Sequence, residues 1–261
     1  MSTFHTPRRR AHLSHGDDAF VPSRAFEVLE TVFAAMPQPR LPGAEQPWDG
    51  YDPPCTLKAD SAIAPFPVQK ASIEALPLHD GIEAEGDEWM RLACDVARLS
   101  VERSGGPFGA VLLQVDTTTN RILRYWIGHN QVVSTSDPTA HAEVVAIRAA
   151  CSSLGVFDLG SIRKSESRLS QPTDLSHCIL YSSAEPCPMC YAAIRWAHLA
   201  ALRFAATRFD AAAPGVDFSD AALYDELSRP YAERPIPIHR CATGNALDAF
   251  NLWKRSEKTP Y

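Results

Sequence analysis

SSAEPCPMCYAAIRWA, residues 182–197, carries Cys187 and Cys190 three positions apart, with prolines around them and an apolar segment behind. From Cys187 onward it reads as a helix, and residues three apart in a first turn share one face. The stretch "CILYSS" (178–183) in front of it is a short continuous apolar strand, and "ALRFAA" (201–206) behind it is another. Two sulfurs on the opening face of a helix, held between strands, make a ligand pair that needs further donors from elsewhere in the chain.

Upstream, "DEWMRLACDVARLSVE" (87–102) spaces Trp89, Leu92, Ala93, Val96 and Leu99 along one helical face, and Gly105-Gly106-Pro107 ends it. "FGAVLLQV" (108–115) and "RYWIG" (124–128) read as strands joined by a polar turn at Thr117–Asn120. "AHAEVVAIRAACSSLG" (140–155) is a helix with Pro138 near its first turn and Gly155 past its end. "DAALYDELS" (220–228) and the amphipathic tail "NALDAFNLWKRSEK" (245–258) are further helices. A hairpin followed by β-α-β-α units predicts an α/β fold with a mixed sheet and helices on both faces.

Residues 1–87 differ from this. They hold 11 of the 21 prolines, which forbid long regular elements, and are expected to form an extension with one short helix at "SRAFEVLETVFAAM" (23–36). Residues 88–261 form the main domain. The 261-residue chain has a formal net charge of −6, which disfavours a general affinity for phosphate backbones, so no nucleic-acid partner is expected. No stretch approaches the ~20 apolar residues of a membrane span, and Arg8-Arg9-Arg10 has no apolar region behind it, so a cytoplasmic location is expected. Seven cysteines scattered through such a chain predict buried thiols rather than a disulfide framework.

A catalytic zinc typically takes three protein ligands and keeps one open position. The candidate third ligand is His141 in "TAHAEVV", at the start of the helix after the hairpin, with Glu143 two positions on. Two apart, these would diverge inside a helix; at an N-terminus, where side chains tilt toward the opening, both can reach over the first turn. Helix starts also favour thiolates through their partial positive charge. Two such starts meeting head to head would close a His/Cys/Cys site. Zinc there would bring the pKa of water from 15.7 to about 7, and Glu143 would serve as general base and then general acid. A closed structural zinc would need another Cys or His at matching spacing, and a thioredoxin-like redox pair would leave Glu143 without a role.

His141-Ala142-Glu143 with Pro186-Cys187-Pro188-Met189-Cys190 fits the H-x-E and P-C-x-x-C pattern of zinc nucleobase deaminases. With "GGPFGAVL" and "STSDPTAHAEVVAIRAAC", the chain from about residue 88 resembles the guanine deaminase branch of the cytidine/deoxycytidylate deaminase-like superfamily. The resemblance implies a three-layer α-β-α fold and hydrolytic release of ammonia from a guanine-like purine base or nucleoside. It implies that Asn130 hydrogen-bonds the purine, that the Ala142 N–H contacts the ring, and that Phe108 and Trp196 flank its faces. It further implies a homodimer in which a C-terminal segment crosses to the partner, with Tyr261 closing the partner's pocket. One departure stands out. The branch places two adjacent acidic residues after a glycine beyond the last strand, the second reading the purine; here "PGVDFSD" (214–220) has Asp217 followed by Phe218. Asp217 or Asp220 could substitute; otherwise the substrate is not free guanine. The alternatives are a tRNA adenosine deaminase, which shares the metal motif, and a catalytically silent subunit of the same fold.

Overall fold

The structure is a computed structural model that describes residues 77–256. The helix expected at 23–36 and Tyr261 lie outside those residues. A 3-10 turn at Pro77–His79 leads to α1 (Glu88–Glu102), then β1 (Gly109–Asp116) and β2 (Ile122–His129). After these come α2 (Val132–Thr135), α3 (Ala142–Leu154), β3 (Ile162–Arg163) and β4 (Leu175–Ala184). The chain closes with α4 (Pro188–Trp196), β5 (Ala201–Ala206), α5 (Arg208–Ala211), α6 (Ala221–Ser228) and α7 (Asp248–Lys254). Among the described residues the expected helices and strands are present. The sequence reading missed α2, β3 and α5, which at 4, 2 and 4 residues are too short to show a period. Pro138 lies in a turn ahead of α3 rather than in it, because His141 adopts an extended backbone (φ −70, ψ 154) and the helix begins only at Ala142.

β1 is central and buried along its whole length. It pairs antiparallel with β2 on one side and with β4 on the other. The far edge of β4 carries β3 antiparallel at one end and β5 parallel at the other, giving the expected mixed sheet. Side chains alternate across the sheet, so Val111, Leu113 and Val115 face α1, and Ala110 and Leu112 face α3 and α4. All five residues read as the apolar face of α1 are buried. Fully burying a side chain of this size contributes about 1.5–3 kcal/mol.

The registers decide where the chemistry can be. Gly109 pairs with His129, Ala110 with Ser182, and Ala184 with Ala206. The start of β1 and the ends of β2, β4 and β5 therefore meet at one end of the sheet, and residues 108, 130, 185 and 207 all emerge there. Gly128 brings α3 down onto that end: a Cβ at this position would overlap the Ala142 carbonyl. Residues 77–87 pack against the same unit. Asp87 caps α1 and also accepts from the Tyr181 hydroxyl at 2.8 Å, across to β4.

The six described cysteines are free thiols. Cys178 is buried as expected, whereas Cys94 and Cys241 are exposed, one on the outer side of α1 and the other in the C-terminal segment. Among the described residues no helix is long and apolar enough to cross a membrane.

Candidate active site

His141 and Cys187 are the N-cap residues of α3 and α4, and neither side chain caps its own helix. Cys190 follows three positions into α4, after Pro188 at the first helical position. Freed from capping, the three side chains converge. His141 Nδ1 lies 3.6 Å from Cys187 Sγ and 3.5 Å from Cys190 Sγ, and all three donor atoms are within 4.8 Å of one another. A tetrahedral zinc with Zn–S of about 2.3 Å and Zn–N of about 2.0–2.1 Å requires S···N separations of about 3.5–3.6 Å. The donor set thus fits zinc in both identity and spacing.

The protonation balance of the sulfurs fits a cation as well. A hydrogen bond from Cys190, with the His141 ring beside it, draws the Cys187 thiol down to about 4, while the same bond and burial push Cys190 up. The pair holds one negative charge readily and resists a second unless a positive ion lies between them.

Glu143, at the second position of α3, is buried, and loss of solvent pushes its carboxyl above the usual carboxylate range. Ser182 Oγ donates to Glu143 Oε1 at 3.4 Å. Ser182 escaped the sequence reading, because nothing local sets it apart from Ser183 beside it in the same strand.

A cleft of about 550 Å³ opens over this cluster, with His141, Glu143 and Cys187 on its floor. Asn130 and Phe108 line it. Asn130 is buried, its Oδ1 accepts from the Val132 N–H at 3.3 Å, and Gly106 lies against its amide so closely that a Cβ would come within 3.1 Å of Cγ. Phe108 meets Phe218 edge to face, ring centroids 5.1 Å apart. The residue that replaces the expected acid is therefore part of an aromatic wall. Asp217 lines the cleft too, exposed and in the left-handed region at φ 63. Asp220 is half-buried there, raised by burial first and then by the nearby Cys187, and although it is the N-cap residue of α6 its side chain makes no capping bond.

Ala142 has its side chain buried against the sheet and does not line the cleft, although its N–H is one of the first in α3 and has no acceptor within the helix by position. Trp196 is not brought to the cleft. It ends α4, about 12 Å of helix rise from Pro188, and is 65% exposed. Glu185, Arg208 and Ser104, none of them predicted as site residues, line the cleft.

Residues 84–206 match the sequence profile of the cytidine and deoxycytidylate deaminase zinc-binding region. The chain is 39% identical over 163 residues to the guanine deaminase of Bacillus subtilis (strain 168), across 62% of this chain and 87% of that protein. The X-ray structure of guanine deaminase from Bacillus subtilis superposes with a TM-score of 0.55 at 37% identity, covering 68% of this chain and 99% of that one. A tRNA-specific adenosine deaminase of Haemophilus influenzae is 33% identical over 138 residues, across 52% of this chain and 68% of that protein.

Proposed function

The chain belongs to the cytidine and deoxycytidylate deaminase zinc-binding family, within its guanine deaminase branch, and on that premise we propose that it hydrolyses the amino group from guanine or a closely related purine, releasing ammonia. The observation that carries this reading is the meeting of the His141, Cys187 and Cys190 donor atoms at one end of a cleft that also holds Glu143. These three side chains are the zinc ligands of the proposal. Zinc bound there supplies a Lewis acid that makes water acidic enough to be deprotonated near neutral pH.

Glu143 moves the protons. Its carboxylate takes one from water as the oxygen bonds to the carbon bearing the amino group, and delivers it to the adjacent ring nitrogen. It then carries the remaining hydroxyl proton to the amine, the C–N bond breaks, ammonia departs and a carbonyl is left. Burial favours this work, because a carboxyl raised above its usual range holds the proton long enough to pass it on. Ser182 holds one of the Glu143 oxygens by a hydrogen bond. With its Oδ1 engaged by the Val132 N–H, Asn130 has its amide N–H₂ as the group suited to donate to a purine acceptor. Phe108 packs on the ring.

Replacing Glu143 with Gln is expected to leave zinc at one per chain and lower ammonia release from guanine by about 10³-fold. Full activity in that variant would reject the mechanism. An ammonia screen of the parent protein over guanine, guanosine, deoxyguanosine, adenine, cytosine and aminotriazines, with all compounds inert, would reject the substrate class.

A homodimer with exchanged C-terminal segments is part of the proposal. From Arg229 to Arg255 all residues but one are exposed, including Leu247 at 64%, Phe250 at 66% and Leu252 at 64%. An amphipathic helix with no core beneath it among the described residues calls for another surface, and a second copy supplies one. Truncation after Arg229 is expected to convert a dimer to a monomer in sedimentation velocity; an unchanged dimer would overturn the exchange.

A further inference from the structure

The short segment that precedes the region matched by the family reaches the metal end of the sheet. After the turn at Pro77–His79 the chain reverses at Gly81 (φ 77), and His79 lands on the β4–α4 connection. His79 Nε2 is 3.1 Å from Glu185 Oε2, and the two side chains are only 12% and 14% exposed. The same oxygen accepts from the Arg208 N–H at 3.0 Å. A carboxylate oxygen has only lone pairs to offer, so it is Nε2 that carries the hydrogen. Phe204 and Phe209 hold the imidazole edge-on, with centroids 5.8 and 6.4 Å away. The Glu185 N–H donates to the Ala206 carbonyl at 2.8 Å. One glutamate thus ties the N-terminal segment to the end of β5 and the start of α5. It stands two residues ahead of Cys187 and lines the same cleft.

We propose that His79 is a positioning residue of the active site: through Glu185 it fixes the Glu185–Cys187 turn and so the approach of the Cys187 sulfur to the His141 ring. The segment at residues 77–83 is then part of the working site and not only a lead-in to it. The inference rests on Cys187 being a metal ligand, but not on which purine is the substrate. Without His79 the carboxylate keeps, among the described residues, one donor, the Arg208 amide. Groups that orient a ligand in this way typically change metal affinity or rate by about 10–100-fold.

The test uses the full chain loaded with Co²⁺, whose thiolate-to-metal charge-transfer bands report the geometry of the sulfurs without any turnover. His79→Ala is expected to shift or weaken those bands and to lower kcat for guanine in the zinc form about tenfold, with KM changed less than about twofold. His79→Gln, which keeps a neutral N–H near the same place, is expected to restore both readouts. His79→Ala combined with Glu185→Gln should be no worse than either alone, since both act through one bond. A His79→Ala protein with parental bands and kcat would overturn the proposal. So would a Gln variant that loses as much as Ala, with both falling in step with thermal stability. Should the parent protein bind cobalt with thiolate bands yet release no ammonia from any purine, the substrate reading fails and the positioning inference is still read from the bands. Absence of thiolate bands in the parent would overturn both.

Discussion

Asp87 and Asp220 occupy the same position, the N-cap, of two helices on different sides of the molecule, and they do different things there. Asp87 Oδ1 accepts from the Trp89 and Met90 N–H groups at 3.0 Å each, satisfying two of the donors that a helix start leaves open. Asp220 makes no such bond. The same contrast separates α1 from α3 and α4, whose N-cap residues His141 and Cys187 are also uncapping. On the α1 face the helix start serves stability. At the cleft, three helix starts forgo roughly 1 kcal/mol each and keep their side chains for something else.

Substitutions can break this comparison, the largest effect first. Cys190→Ala removes one of three donors and is expected to abolish stoichiometric zinc in the purified protein, read by elemental analysis; zinc retained at one per chain would show that the cluster is not the site. Asp220→Asn comes next. If this carboxylate stays uncapped in order to read ring N–H groups in place of the acid missing at Phe218, its loss should lower kcat/KM for guanine by about 10- to 100-fold. Asp217→Asn, in an exposed position, should change it far less. Equal losses in the two variants, or none in Asp220→Asn, would return Asp220 to the role of a solvated loop residue. Asp87→Ala sharpens the other half of the contrast. It removes a cap and the acceptor of the Tyr181 hydroxyl, and is expected to cost about 1–2 kcal/mol in thermal or denaturant unfolding, with kcat and zinc content unchanged. A stability change below the error of the measurement would mean that the cap is dispensable.

The legibility of these features tracks their range along the chain. The face of α1 could be read because Trp89, Leu92, Ala93, Val96 and Leu99 repeat at the period of a single helix, and helix periodicity is a local property. The donors of the proposed zinc site could be read for a similar reason: His-x-Glu and Cys-x-x-C are short local spacings. Trp196 shows where that logic stops. The resemblance implied that it flanks the purine, but the rise along α4 carries it to the far end of the helix that opens with the cysteines, where it is exposed.

The amino-acid sequence by itself determined the order of the longer strands and helices, the helix starts that carry the donors, and the set of donor types, since each depends on propensities and periods within a few residues. Tertiary structure alone decided that His141 and Cys187, 46 residues apart, come within 3.6 Å, that Phe218 packs on Phe108, and that His79 reaches Glu185 across 106 positions. Those meetings depend on the pairing of β1 with β2 and β4, and of β4 with β5. Because a shift of one residue would turn each strand's side chains to the opposite face, only the assembled sheet brings these side chains to one cleft.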